Sequence, residues 1–387
     1  MLVRPLAAVV LILVASFACD RAASQTAAPQ SASSAAPATP LPTNHVLVIS
    51  VDGLRADMLE PPMITEFPAL TRLLRGPHTL NARTDPDFTV TLPNHISMVT
   101  GRTTLGEAGH GWTLNTDPAG VDQGGTIHAT KGAYVASMFD VAHDAGVATG
   151  VFVSKTKFWV FTQSYGDTFG APDIVEPDEG TAKIDLFVHA DSMSDLGGTV
   201  ADHLRRKHGK TLDFVHFAAP DIAGHSYDWK VNNTSKYFEA VVEVDHAIAE
   251  ILRAIDETEH LRGTTAIILT ADHGGGVPLK THTDMTCPLN FRIPFLVWMG
   301  DASAALDLQA LNPARTKPAR DELITRVADK QPIRNGDAAN AALHLLGLPS
   351  VPGSRYGADE PLHFAPPSSS GSAFCPIAAF TSAGPAR

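Results

Sequence analysis

Asp52, Asp221, His225, Asp272, His273 and His282 are six residues able to ligate a metal, each placed where a predicted strand runs out into a loop. Thr91, in the run Thr91-Leu92-Pro93-Asn94-His95, falls between the first two. Carboxylate oxygen and imidazole nitrogen together are the ligand chemistry of zinc, and two such sites side by side hold both oxygens of an in-line phosphoryl displacement. A threonine hydroxyl is a poor nucleophile at neutral pH, and a metal ion beside it favours the alkoxide. Pro93 fits the first turn of a helix starting just after Thr91, whose free amides would then face an anion. Taken singly, an Asp after a buried strand is commonly a cap, and Asp221-x-x-x-His225 reads equally as a pair on one helix face. The set in this order points to a two-metal hydrolase.

Such residues need a frame that gathers them. His45 to Val51 is a nearly continuous apolar run, expected of a strand buried on both faces, and it delivers Asp52 and the turn residue Gly53. Ala148 to Val153, Leu212 to Phe217, Thr264 to Thr270 and Ile293 to Trp298 read as further strands. Ile64 to Leu74, Ala133 to Ala145, Thr199 to Lys207, Tyr237 to Asp256 and Asp337 to Leu346 have helical spacing. The alternation predicts an α/β fold, a mostly parallel central sheet with helices on both faces and the ligands along its carboxyl edge. The stretch from about Phe161 to Leu196 shows no period and is expected to form a small cap.

The N-terminus predicts export. Arg4 precedes the apolar run Leu6 to Phe17, and Ser16-Phe17-Ala18 supplies small residues at the two positions a signal peptidase reads. The run is short of the ~20 apolar residues that span a bilayer. Cys19, directly after Ala18, leaves two outcomes open, ordinary cleavage or a lipid-anchored envelope protein. Residues 20–43 are rich in Ala, Ser and Pro and read as a tether, with the catalytic domain from 44 to 387. A formal net charge of −12 argues against a nucleic-acid surface. Cys287 and Cys375 either bridge or stand as two unpaired thiols.

The runs VISVDGLRADML and TLPNHISMVTG, the motif PDIAGH and the pair ADHG together resemble the alkaline phosphatase superfamily, closest to its type I phosphodiesterase and nucleotide pyrophosphatase branch. The resemblance implies that Asp52, Thr91, Asp272 and His273 hold one Zn2+ and that Asp221, His225 and His282 hold a second. It makes Thr91 the attacking residue, through a phosphothreonine intermediate. Asn115, after His110-Gly111, resembles the Asn that donates a hydrogen bond to the phosphoryl oxygen. Only eight residues separate His273 from His282, a spacing closer to the mutase branches of the superfamily. The sulfatase branch fits less well, because the nucleophile position is Thr91.

Lys155 and Lys157 follow the strand Ala148 to Val153, and alternation along an extended segment points both toward the carboxyl edge. The superfamily's monoesterases and phosphonoacetate hydrolases carry a similar Lys-x-Lys arrangement. The pair therefore keeps a phosphomonoesterase or phosphonate hydrolase beside the phosphodiesterase reading, with a small phosphate ester as substrate in each case. An envelope lipoprotein that retains metal without turnover is the non-enzymatic alternative.

Overall fold

The computed structural model describes residues 43–167, 174, 181–301 and 304–365, all within one compact unit, Ala38–Arg387. The signal, Cys19, residues 20–42 and Cys375 lie outside the described residues, and with them the choice between a Cys287–Cys375 bridge and two unpaired thiols.

The apolar runs form a seven-stranded sheet in the order β2-β7-β6-β1-β5-β3-β4. Its strands are β1 (His45–Val51), β2 (His78–Arg83), β3 (Ala148–Val153), β4 (Leu186–His189), β5 (Thr211–Phe217), β6 (Thr265–Thr270) and β7 (Arg292–Trp298). From β6 across β1, β5 and β3 to β4 every pairing is parallel, and β7 and β2 close the other side in antiparallel pairings. Every residue of β1, β5 and β6 is buried, as strands covered on both faces require. Val46, Leu47, Val48, Ile49 and Val51 are each fully buried, worth roughly 1.5–3 kcal/mol apiece in hydrophobic transfer.

The helices used below are α1 (Pro68–Leu73), α2 (Thr91–Thr100), α3 (Met138–Asp144), α4 (Trp159–Tyr165), α5 (Met193–Arg206), α6 (Ala219–Tyr227), α7 (Lys236–Glu257) and α8 (Ala338–Leu346). Several expected spans run differently, the helix expected from Thr199 starting already at Met193. Ile64 to Leu74 is broken by Pro68, which starts α1. Ala133 to Ala145 shortens to α3, because Ser137 and Asp140 form a capping box at its start. The stretch around 161–196 contains α4, the sheet strand β4 and the start of α5, so part of it belongs to the main layers. β2 was not anticipated: its sequence HTLNAR is polar, and a register shift between Thr79 and Ala82 interrupts its pairing.

Parallel strands bring their carboxyl ends to one edge. The register pairs Ser50 with Thr270 and Val51 with Phe217, so Asp52 and Asp272 emerge level with one another and α6 begins beside them. β7 runs antiparallel to β6, so the connection between them never leaves that edge. His282 therefore reaches the site within a short loop, which explains its close spacing to His273. β2 points the same way as β6 and leads through residues 84–90 to Thr91.

Candidate metal centre

Gly53 follows Asp52 with φ +68°, a left-handed turn that glycine adopts without strain. Its amide donates to Asp272 Oδ1 at 2.9 Å, and its carbonyl accepts from Trp229 Nε1 and Tyr237 Oη. Trp229 packs so closely on Gly224 and Gly275 that a Cβ on either would lie within 2.4 Å of its ring. These contacts fix α6 against the ends of β1 and β6. Asp221 and His225 both stand on α6 one turn apart, so His225 sits on a helix rather than in a strand-end loop.

Two triads form. Asp221, His225 and His282 make one, Asp52, Asp272 and His273 the other. In the first, His225 Nε2 and His282 Nε2 are 3.4 and 3.8 Å from Asp221 Oδ1 and 3.2 Å from each other. In the second, His273 Nε2 is 3.5 Å from Asp52 Oδ1 and 3.2 Å from Asp272 Oδ2. Ligands about 2.0–2.1 Å from a tetrahedral zinc stand roughly 3.3 Å apart, so these separations fit one ion per triad. His273 Nε2 also lies 3.8 Å from Asp221 Oδ1, making the triads neighbours.

The protonation pattern agrees. His225 Nδ1 bonds to the Lys280 carbonyl, His282 Nδ1 to that of Thr89 and His273 Nδ1 to that of Gly274. A nitrogen bonded to a carbonyl must carry the proton, so each Nε2 presents a lone pair, the form that binds metal. Each carboxylate likewise has one oxygen held and one bare. Asp272 Oδ1 accepts from Gly53 N and His273 N, and Asp52 Oδ2 takes His216 Nε2 at 3.0 Å. Asp52 Oδ1, Asp221 Oδ1, Asp272 Oδ2 and His273 Nε2 are buried without a hydrogen-bond partner. Four bare donors so placed are costly unless a cation satisfies them. The residues present fit divalent metal ions in both triads.

Electrostatics point the same way. Burial, with Asp52 and Asp221 nearby, pushes Asp272 well above the usual carboxylate range. Burial also opposes ionisation of Asp52, but Lys155 and His216 hold it well below that range. Burial, then the neighbouring His273, keeps His282 neutral down to about pH 2.

Thr91 is buried at the first position of α2, bracketed on three sides. His282 bonds to the carbonyl of Thr89. His95, one turn on, bonds through Nδ1 to the Thr91 carbonyl at 2.7 Å and stands 3.7 Å from Asp272 Oδ2. Asn115 Oδ1 accepts from Leu92 N at 2.9 Å. The Leu92 amide is thus capped by Asn115 and is not among the amides that would face an anion. Lys157 Nζ reaches Asn115 through its carbonyl at 3.0 Å and its Oδ1 at 3.2 Å. Both lysines turn toward the site, with different partners. Lys155 Nζ lies 2.6 Å from Asp52 Oδ2 and 2.7 Å from Asp221 Oδ2, which leaves one of its three N–H groups for a substrate.

The type I phosphodiesterase / nucleotide pyrophosphatase family model matches residues 46–336, which include both triads, Thr91 and Asn115. The chain belongs to this family. Among curated proteins it resembles GPI ethanolamine phosphate transferase 1 of Yarrowia lipolytica, 25% identical over 346 residues, covering 84% of this chain and 34% of the relative. Kdo(2)-lipid A phosphoethanolamine 7''-transferase of Escherichia coli K12 is 24% identical over 237 residues, 56% of this chain and 40% of the relative. The chain thus spans about a third to two-fifths of the length of these curated relatives. Among solved structures, murine ectonucleotide pyrophosphatase / phosphodiesterase 5 in complex with AMP aligns with TM-score 0.50 and 14% identity, over 82% of this chain and 99% of that one. The C-terminal periplasmic domain of Escherichia coli EcEptC in complex with Zn aligns with TM-score 0.51 and 13% identity, over 84% and 88%. The two structural likenesses are of fold alone.

Within the family frame, several residues escaped the sequence reading. His216, on β5, donates to Asp52 and accepts from Ser154, which in turn accepts from the Ala218 amide. Ser50 bonds to His95 Nε2 at 2.8 Å. Of these only His95 carried a signal, its position four residues after Thr91 on one helix face. Among the described residues no helix is long and apolar enough to cross a membrane.

Proposed function

We propose that this chain is an exported hydrolase of phosphate esters that works with two zinc ions through a phosphothreonine at Thr91. Asp52, Thr91, Asp272 and His273 would hold one ion, and Asp221, His225 and His282 the other. The observation that carries the reading is the set of four bare, buried donor atoms, Asp52 Oδ1, Asp221 Oδ1, Asp272 Oδ2 and His273 Nε2, beside the Nε2 atoms of His225 and His282 in two adjacent triads. When bound, the ions supply Lewis-acid stabilisation of the attacking, leaving and phosphoryl oxygens.

The chain's own groups do the rest. Thr91 Oγ1 gives up its proton to solvent and attacks phosphorus, the bond to the leaving oxygen breaks in line, and that oxygen takes a proton from solvent to leave as the alcohol. Water later cleaves the Thr91–phosphoryl bond, releasing the phosphate product and restoring the Thr91 hydroxyl. Asn115 Oδ1 is occupied by Leu92 N, so its Nδ2 is the atom for a phosphoryl oxygen. Lys157, held against Asn115, supplies a positive charge beside it. A monoester dianion profits more from that charge than a diester, which keeps the monoester and phosphonate readings within the same mechanism. Export rests on the Arg4 and Leu6 to Phe17 signal and the tether, with ordinary cleavage or lipid attachment at Cys19 as its two outcomes.

A second reading draws on the curated relatives, which are named as ethanolamine phosphate transferases. The first half-reaction is then the same, and an alcohol replaces water as acceptor. Quenching the protein with an aryl phosphodiester tests the common step, with the Thr91 peptide expected to gain the mass of the phosphoryl group together with the ester group it retains. Turnover without that adduct, in both wild type and a slowed variant, would refute the phosphothreonine. Added ethanolamine or a diol separates hydrolysis from transfer by its product.

A further inference from the structure

Lys155 bonds to the two carboxylate oxygens that the triads leave aside. Its ammonium lies on Oδ2 of Asp52 and Oδ2 of Asp221, while the bare atoms are Oδ1 of each. Asp52 ends β1 and Asp221 stands on α6 after β5, so one ammonium ties together members of different triads. The strap and the metal donors use different atoms, so both can be engaged at once. The lysine side chain is 16% exposed, and Asp52 and Asp272 are fully buried.

We infer that Lys155 is a built-in counter-ion of the acidic cluster, a positioning residue that holds Asp52 and Asp221 in place before any metal is taken up. Three carboxylates, Asp52, Asp221 and Asp272, converge in a buried space, and Lys155 is the ammonium bonded to two of them. Without metal and without this lysine Asp52 would keep only His216 and Asp221 would lose its bonded cation, so the two would repel across the elements that carry them. With two dications bound, the carboxylates are compensated and the charge of Lys155 is repelled by the ions.

Removing it would also loosen ligand orientation, an effect that typically weakens metal binding 10- to 100-fold. Here that loss is small, because Asp52 stays bonded to His216 and Asp221 is fixed on α6. The lost repulsion toward two doubly charged ions in a buried site is larger, so the variant binds metal more tightly while its stripped form is less stable. By linkage these two results are one statement.

The proposal rests on Asp52 and Asp221 being ligands. The test is thermal unfolding of wild type, Lys155→Met and Lys155→Arg, each with chelator and with zinc, together with zinc affinity by competition with a chromophoric chelator. Lys155→Met should lose about 5–15 °C in chelator and little in zinc. Its zinc affinity should rise roughly 10-fold or more, and Lys155→Arg should behave as wild type. Equal losses in both conditions, no loss in either, weaker zinc binding, or failure of Lys155→Met to fold even with zinc would overturn the inference. Zinc binding by the wild type separates the two layers. Its absence refutes the ligand assignment, whereas normal wild-type binding with an unaltered Lys155→Met refutes only the counter-ion role.

Discussion

His225 Nε2 and His282 Nε2 face one another at 3.2 Å, while the opposite nitrogen of each ring is bonded to a backbone carbonyl. Two imidazoles so fixed present lone pairs to each other, an arrangement that a shared cation stabilises. Replacing His282 by Gln should therefore remove one of two zinc ions and leave Asp52, Asp272 and His273 able to bind the other. Metal analysis after dialysis checks this, and an unchanged zinc content would break the assignment of His282.

The proposed mechanism puts the covalent step on Thr91. Thr91→Ala should lower kcat by at least about 1,000-fold with the fold intact, and Thr91→Ser should keep a measurable share. Steady-state rates on an aryl phosphate, with circular dichroism as the folding control, give the answer. Wild-type-like turnover in the Ala variant would sink the mechanism.

The monoester reading places the charge preference on Lys157. Lys157→Ala should lower kcat/KM for an aryl monoester roughly 10- to 1,000-fold and leave a diester little changed. Parallel losses on the two substrates would show instead that the lysine only holds Asn115.

Acid stability should depend on His45, at the amino end of β1 and away from the site. Burial, reinforced by the neighbouring His260, holds this imidazole at about 4. In the unfolded chain it returns to about 6.5, so between these values the unfolded chain binds a proton that the native one does not. The contribution is complete above that window and is lost as pH falls through it. Urea midpoints of wild type and His45→Asn at about pH 7.5 and about pH 4.5 should show a shallower decline in the variant. Identical declines would show that His45 contributes nothing to acid sensitivity.

The residues of the two triads were legible in the sequence because a parallel sheet delivers them after three strand ends, behind unbroken apolar runs such as HVLVISV or TTAIILT. Their supports were not. His216 reads as one polar residue inside a buried strand, and only the placement of β5 beside β1 brings it to Asp52. The partners of Lys155 depend on the order β1-β5-β3, which local pattern does not encode. β2 stayed hidden because backbone pairing with β7, rather than an apolar face, keeps it in the sheet.

Zinc per chain and hydrolysis of an aryl phosphodiester, measured on the same purified sample before and after chelation, bear most directly on the two-metal account. The expected result is about two zinc ions per chain, activity abolished on chelation and recovered in proportion to zinc restored. Full activity with well under one zinc per chain would contradict it.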